Sequence, residues 1–235
     1  GEYANRKEWR EFTTDELLSL VDELWRHGTR LLQLQGGEPL LRDDIEQLID
    51  RVRARGMICD LITNGMLIEQ KFAAVKKLDS ICVSLDGREE LNDRNRGKGT
   101  FARTLKGIEL CSGAGVPTRI NAVLTAQTEP ADLRFLAETA RRLKALLNFS
   151  LSFQYEPLRE GGPRHHLDVT DDQVRSFLRQ IKDLQSERFP IQFTTLAHDL
   201  ALAWPFSYQK RMATSASLPV RRRFPKCYHA DYIVF

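Results

Sequence analysis

Long apolar runs and an excess of charge of one sign are both missing from this sequence. No stretch approaches the ~20 consecutive apolar residues that a membrane-spanning helix needs, and no segment resembles a signal peptide, so we expect a cytoplasmic protein without a membrane partner. The 35 basic and 32 acidic residues nearly cancel, to a net charge of +3, which gives no strong case for a nucleic-acid partner. The 235 residues are 42% hydrophobic, enough for one large α/β domain or one domain with a fragment of another.

The chain has few cysteines, and they are dispersed. Cys59, Cys82, Cys111 and Cys227 are too far apart for a disulfide scaffold. Cys59 and Cys82 lie in apolar strand-like runs, where a free cysteine behaves as a small hydrophobic residue. Because no two cysteines lie closer together than these two, the chain has no cysteine-rich loop of the kind that binds an iron–sulfur cluster.

Two glycine-rich motifs that bind nucleotide phosphates are also missing. No Gly-x-Gly-x-x-Gly follows a predicted strand, and residues 97–100 fail the Gly-x-x-x-x-Gly-Lys-Ser/Thr pattern. Both absences argue against nicotinamide binding and against nucleotide hydrolysis.

Helical and strand patterns alternate along most of the chain, which is typical of a parallel sheet covered by helices. Capping boxes at residues 13–16 and 170–173 predict two helix starts. A helix from Pro130 is predicted to carry Leu143 and Leu146, and residues 88–99 are predicted to form a polar loop. The other predicted helices cover residues 43–56, 67–77 and 100–111, and the predicted strands are residues 31–34, 58–62, 81–85, 118–124 and 149–155, with a last strand beginning at 191.

Small polar residues follow four of these strands. They are Gly36-Gly37-Glu38-Pro39, Thr63-Asn64-Gly65, Ser84-Leu85-Asp86-Gly87 and the run from Asn121 to Thr125. Ligands of parallel α/β folds bind at the carboxyl ends of the strands, so these are the candidate site residues. In the first motif, the glycines can take φ > 0 and let a ligand approach the main chain, and Glu38 can accept hydrogen bonds from a cationic amine. A plain turn is the alternative for each motif taken alone.

The order of these motifs resembles that of the radical S-adenosylmethionine (SAM) enzymes. The first three motifs occur in the family's order with one helix between each, and residues 92–97 and 99–101 are similar to the branch that carries C-terminal SPASM or twitch extensions. The resemblance covers residues 10–155 well. It implies an α/β fold, a partial (β/α)6 TIM-like barrel, in which a 4Fe–4S cluster reduces bound SAM to methionine and a 5′-deoxyadenosyl radical.

The resemblance also implies which residues face the cofactor. Each role is carried over from the family's motif to the matching position of this sequence. The implied SAM contacts are Gly36, Gly37 and Glu38 for the amino group of the methionyl moiety, Thr63 and Asn64 on the next strand end, Ser84 and Asp86 for the carboxylate or ribose, and Asn121 for the same groups.

The family's Cys-x-x-x-Cys-x-x-Cys cluster loop is not in this sequence. In the family that loop precedes the first helix, at the point where this chain begins, so we expect the first strand and the cluster loop to lie upstream of Gly1. The expected domains are a core of residues 1–204 and, in residues 205–235, a linker with the start of a SPASM or twitch-like extension. A degenerate member that has lost catalysis is the alternative.

Cys227 lies in polar, non-periodic sequence, unlike the other cysteines. In SPASM and twitch extensions a cysteine in such a context ligates an auxiliary iron–sulfur cluster, so the resemblance makes Cys227 a candidate ligand, with an ordinary thiol as the alternative. His165 and His166 could reach a substrate from a loop, but they fit a solvated loop better, as do the basic runs 94–98 and 221–223.

The predicted activity is abstraction of a substrate hydrogen atom, with electrons from a donor such as flavodoxin or ferredoxin. Because the SPASM-like branch commonly modifies peptides or protein side chains, the first substrate prediction is a peptide. A small-molecule or cofactor-biosynthesis enzyme is the second. A cluster-free SAM-binding or scaffolding protein is the non-enzymatic alternative.

Overall fold

The computed structural model describes residues 10–152, 167–192 and 195–203. Within them, five parallel strands form one sheet whose order follows the chain. A strand order that never reverses is that of a barrel wall, whereas a doubly wound sheet reverses its order at a switch point. The predicted α/β partial-barrel fold is confirmed. The strands are β1 (Leu31–Leu34), β2 (Ile58–Thr63), β3 (Ser80–Ser84), β4 (Thr118–Leu124) and β5 (Leu146–Leu151).

Helices occupy the connections between the strands. The predicted capping boxes form at Thr13 with Glu16 and at Thr170 with Gln173, and they satisfy backbone N–H groups that have no partner inside the helix. None of the described helices is long and apolar enough to cross a membrane. The helices are α1 (Thr14–Arg26), α2 (Ile45–Ala54), α3 (Phe72–Val75), α4 (Glu89–Arg96), α5 (Thr100–Gly113), α6 (Pro130–Arg142), α7 (Asp171–Ser186) and α8 (Thr195–Leu202), with a 3₁₀ turn at Pro39–Leu41.

The two faces of the sheet differ in burial. Along β4, Ile120 and Ala122 are buried against the helices, whereas Arg119 and Asn121 point to the opposite face and are only half-buried. We call this opposite side the inner face. Successive side chains of a strand alternate between faces, so one face builds the core and the other is left for polar side chains. The core under the helices includes Ile49, Val52, Leu61, Ile81, Val83, Ile108, Leu133, Leu136 and Leu147, and each buried aliphatic side chain contributes roughly 1.5–3 kcal/mol.

Three sequence predictions of local structure were wrong. Residues 89–96 form helix α4, although Leu91 is its one buried apolar side chain, because polar hydrogen bonds and not an apolar stripe hold it in place. The helix expected over 67–77 shrinks to α3, preceded by a turn in which the N–H of Lys71 donates to the carbonyl of Leu67. Leu146 begins β5 because α6 ends at Arg142 and Lys144 takes a left-handed φ of 52°.

The strand predicted to begin at residue 191 is present as a single bridge. Ile191 pairs in parallel with Leu147, whose N–H donates to the carbonyl of Pro190 at 2.8 Å. Residues 193–194 lie outside the described residues, and so do the predicted sites at His165, His166 and Cys227.

Candidate functional site

The loop after β1 presents an open stretch of main chain. Gly36 and Gly37 are exposed, and neither takes a positive φ, so the expected left-handed conformation is not adopted. A Cβ atom added at either position would meet no described atom within 4 Å. Neither backbone strain nor packing among the described residues therefore requires glycine here. Close approach of a ligand to the main chain would require it.

Glu38 joins this loop to the end of β2. Its Oε1 accepts hydrogen bonds from the N–H of Leu40 at 3.1 Å and from Oγ1 of Thr63 at 2.7 Å, and its Oε2 accepts one from the N–H of Asn64 at 2.8 Å. All three donors are neutral groups. A carboxylate offers about four acceptor positions, so the half-buried Glu38 is held in one orientation and can still accept from a cationic ligand.

The turn after β2 holds the partners of Glu38 in place. Thr63 Oγ1 accepts from the N–H of Gly65 at 3.0 Å while it donates to Glu38, and the side chain of Asn64 accepts from the N–H of Met66 at 2.8 Å. Gly65 has a φ of 83°, and a Cβ atom there would lie 2.8 Å from Val83 Cγ1. This glycine, unlike Gly36 and Gly37, is required by the fold itself.

A second polar group crosses β3, β4 and β5 on the inner face. Ser84 is in register with Asn121, and Asn121 with Asn148. Oδ1 of Asn121 accepts from Nδ2 of Asn148 at 2.6 Å and from Oγ of Ser150 at 3.0 Å. The Ser84 hydroxyl makes no hydrogen bond to the residues that the structure describes, and among them the buried Oδ1 of Asn148 has no partner either. A polar ligand on this face would satisfy both groups.

Sequence reasoning missed a third polar group, which lies nearer the amino ends of the strands. The carboxylate of Asp60, 3% exposed, accepts from Gln33 and Arg119 at 2.5 Å each, and from the Ser80 hydroxyl. The signal was present, because Asp60 stands alone in an apolar strand. Asn148 and Ser150 were missed as well, although they alternate with apolar residues along β5 and so mark its inner face.

Asp86 lies at the same edge of the sheet but is bound differently. It is 2% exposed, and its Oδ1 accepts from Nη2 of Arg96 at 2.7 Å and from the N–H of Val123 at 3.1 Å. Nδ2 of Asn95 lies 3.3 Å from its Oδ2. The expectation of a solvated loop was wrong for Arg96, whose side chain is only 23% exposed. The structure thus brings Glu38, Thr63 and Asn64 into one hydrogen-bonded group and Ser84 and Asn121 into one row, with Asp86 enclosed by protein donors.

The described cysteines do not fit an iron–sulfur cluster. Cys59, Cys82 and Cys111 are separately buried, and burial raises the pKa of Cys59 and of Cys111 to about 12, so their thiols stay protonated. Within residues 10–152, 167–192 and 195–203, no group of three His, Cys, Asp or Glu side chains could hold a metal ion. The polar groups at the carboxyl ends of the strands fit SAM instead. Glu38 offers a carboxylate for an ammonium group, and the inner face offers free polar atoms for a carboxylate or ribose.

A parallel barrel wall with polar groups along the carboxyl ends of its strands defines a cofactor-binding barrel protein. The model of the radical SAM superfamily matches residues 2–140, and the chain belongs to this superfamily. Its members are enzymes, and the family uses SAM together with a 4Fe–4S cluster. The resemblance found from the motifs is confirmed at this level.

The chain is similar to relatives with different named activities. It is 28% identical over 207 residues to the Fe-coproporphyrin III synthase of Methanosarcina barkeri. The aligned segment covers 85% of this chain and 51% of that protein. It is 32% identical over 174 residues to the mycofactocin maturase MftC of Mycolicibacterium smegmatis, covering 72% and 42%. The chain therefore spans about half the length of the curated relatives it matches.

Among solved structures, the fold is similar to that of SuiB from Streptococcus suis. The structure bound to S-adenosylmethionine superposes with a TM-score of 0.67 at 19% identity and covers 81% of this chain and 45% of SuiB. SuiB bound to its precursor peptide SuiA gives a TM-score of 0.67 at 18% identity, with coverage of 85% and 46%. At this identity the likeness concerns the fold.

Proposed function

We propose that this chain is the SAM-binding core of a radical SAM enzyme that abstracts a hydrogen atom from its substrate. The observation that carries the proposal is Glu38, a half-buried carboxylate fixed by three neutral donors next to an exposed Gly36-Gly37 main chain. This pair of features supports recognition of an ammonium group. No other strand end in the described chain combines them.

Each candidate residue has a distinct part in the proposed site except Asp86, whose predicted SAM contact is replaced by protein donors. The main chain of Gly36 and Gly37 and the Glu38 carboxylate bind the amino group of SAM. Thr63 and Asn64 orient that carboxylate through the hydrogen bonds described above. On the neighbouring strands, Ser84 and Asn121 hydrogen-bond the carboxylate or the ribose, since they lie in register and point to the inner face.

The protein's contribution to the reaction is orientation and exclusion of water. When bound and reduced, SAM supplies the 5′-deoxyadenosyl radical that takes the substrate hydrogen. The described residues offer no ligands for the 4Fe–4S cluster, so no step of electron entry is assigned to them. A cytoplasmic location and a donor such as flavodoxin or ferredoxin remain part of the proposal.

For the substrate, we favour a peptide or protein side chain. A relative named as a maturase and a similar fold solved with a precursor peptide support this choice. The synthase relative, which covers more of the chain, favours the second candidate, a small molecule in cofactor biosynthesis. A core of residues 1–204, a SPASM or twitch-like continuation from 205, and Cys227 as an auxiliary-cluster ligand complete the proposal.

Calorimetric titration of SAM into the full-length protein tests the cofactor site. The Glu38→Gln substitution removes a charge-assisted hydrogen bond worth roughly 1.5–3 kcal/mol, so the Kd should rise by roughly 10- to 150-fold. The matched control is Glu138→Gln, on the exposed side of α6, which should bind as the unmodified protein does. Equal affinity of all three proteins would contradict the assignment of Glu38.

A further inference from the structure

We propose that Asp86 is a positioning residue: together with Arg96, it fixes the carboxyl ends of β3 and β4 and so sets the placement of Ser84 against Asn121. The inference rests on the proposed SAM site, to which it adds a supporting pair. It assigns to α4, a segment without an apolar stripe, the task of supplying the cation of that pair.

The hydrogen-bond ladder between β3 and β4 ends on a side chain. The N–H of Leu85 donates to the carbonyl of Asn121 at 3.0 Å, as in an ordinary parallel ladder. The next N–H of β4 that points toward β3, that of Val123, donates to Oδ1 of Asp86 at 3.1 Å. A side-chain carboxylate therefore closes the ladder two residues beyond Ser84 on one strand and two residues beyond Asn121 on the other.

The Asp86 carboxylate that closes the ladder carries a buried charge. At 2% exposure, Asp86 needs a cationic partner, because a buried, unpaired charge is strongly destabilising. Arg96, the last residue of α4, donates to the same Oδ1 at 2.7 Å. Oδ1 thus receives both the strand N–H and the guanidinium, so the position of Arg96 and the position of β4 are set by one atom.

Helix α4, which carries Arg96, is itself anchored by side-chain hydrogen bonds. Asn92 accepts from the N–H of Asp86 at 3.2 Å and donates to Oγ1 of Thr100 at 3.0 Å. Asp93 accepts from the N–H groups of Gly99 and Phe101 at 2.5 and 2.8 Å. The helix is therefore tied to the end of β3 on one side and to the start of α5 on the other, which gives Arg96 a fixed base.

The turn that follows Asp86 is tightly packed. A Cβ atom at Gly87 would lie 2.9 Å from Oδ1 of Asp132 and 2.9 Å from Cδ2 of Leu91. The same Oδ1 of Asp132 accepts from the N–H and Nε of Arg88 at 3.1 and 2.9 Å. The main chain that follows Asp86 is thus held in place by Asp132 and Leu91.

Neutralising the two charges singly and together in the full-length protein separates positioning from direct contact with SAM. Asp86→Asn leaves Arg96 without its anion, and Arg96→Gln leaves Asp86 without its cation, so each should weaken SAM binding by about 3- to 10-fold. The double variant D86N/R96Q restores a neutral hydrogen-bonded pair and should bind within about 2-fold of the unmodified protein. A double variant as weak as D86N would overturn the inference, since it would mean that SAM needs the Asp86 charge itself.

Hydrogen exchange gives a second readout that does not depend on SAM. In D86N and R96Q, the peptide carrying the Val123 amide should exchange at least about 3-fold faster than in the unmodified protein, and the double variant should recover. Unchanged exchange in both single variants would overturn the proposal. If D86N does not fold, R96Q and the double variant still decide it, and Asp172→Asn on the exposed side of α7 is the control.

The outcome also distinguishes this inference from the proposed function. If the unmodified protein does not bind SAM, the proposed function fails while the exchange result still tests the ladder closure. If SAM binds and E38Q weakens it, but the Asp86 and Arg96 variants bind normally, only the positioning inference fails.

Discussion

Two strand ends in this protein carry the same kind of sequence, an acidic residue beside glycine, yet their surroundings differ. Among the described residues, Glu38 after β1 is half-buried and accepts from neutral donors, whereas Asp86 after β3 is buried and paired with Arg96. The neighbouring glycines differ in parallel. A Cβ at Gly37 would meet no atom of the described residues within 4 Å, whereas Gly87 is enclosed by Asp132 and Leu91. The first end therefore has the properties of a ligand site, and the second those of a support.

This difference shows how a motif should be weighed once coordinates exist. A glycine that the fold does not require, beside a carboxylate with spare acceptor capacity, points to a ligand. A glycine that packing requires, beside a buried carboxylate that is already paired with a cation, points to internal architecture. Substitutions at the two ends should accordingly change different quantities.

Of the two strand ends compared, the one after β3 should show the larger effect on stability, at Gly87. Gly87→Ala places a methyl group 2.9 Å from both Asp132 and Leu91, and such overpacking costs roughly 1–3 kcal/mol. Thermal unfolding should show a lower Tm, by roughly 2–4 °C for each kcal/mol in a protein of this size. An unchanged Tm would mean that the turn after β3 is not enclosed, and the comparison would lose its second half.

The counterpart at the first strand end is Gly37→Ala. Its methyl group would meet no described atom within 4 Å, so the free energy of unfolding should change by less than about 0.5 kcal/mol. SAM affinity should fall, because the methyl group occupies ligand volume. Gly113→Ala is the matched control, since its Cβ also meets no described atom. Normal SAM binding by the Gly37 variant would break the comparison.

A smaller effect is expected when pH changes the contribution of Asp93, in α4, to the Tm. Backbone N–H groups of Gly99 and Phe101 hold the pKa of Asp93 below its ordinary value of 3.8. A lowered folded-state pKa adds stability above the unfolded-state value, and this stability is lost as the pH falls through the folded-state value. The Tm of the unmodified protein should exceed that of Asp93→Asn at pH 7, and the gap should close below about pH 4. A gap that stays constant into acid would contradict this role for Asp93.

The sequence predicted the sheet well because buried strands and capped helices leave local, periodic signals. It also predicted that Glu38, Thr63 and Asn64 lie near one another, since the carboxyl ends of neighbouring parallel strands meet. It could not predict α4, because side-chain hydrogen bonds between residues six to ten positions apart anchor this helix, and such contacts leave no periodic apolar pattern. For the same reason it could not separate Asp86 from Glu38, because the discriminating partners, Arg96 and Val123, are brought together only by the fold.

The most direct test of this account is hydrogen exchange of the full-length protein with and without saturating SAM. The account predicts slower exchange in the peptide spanning residues 35–41, around Gly36, Gly37 and Glu38, with residues 87–97 of the α4 segment nearly unchanged. Slower exchange across 87–97 with none at 35–41 would contradict it, because SAM would then bind at the strand end that we assign to support.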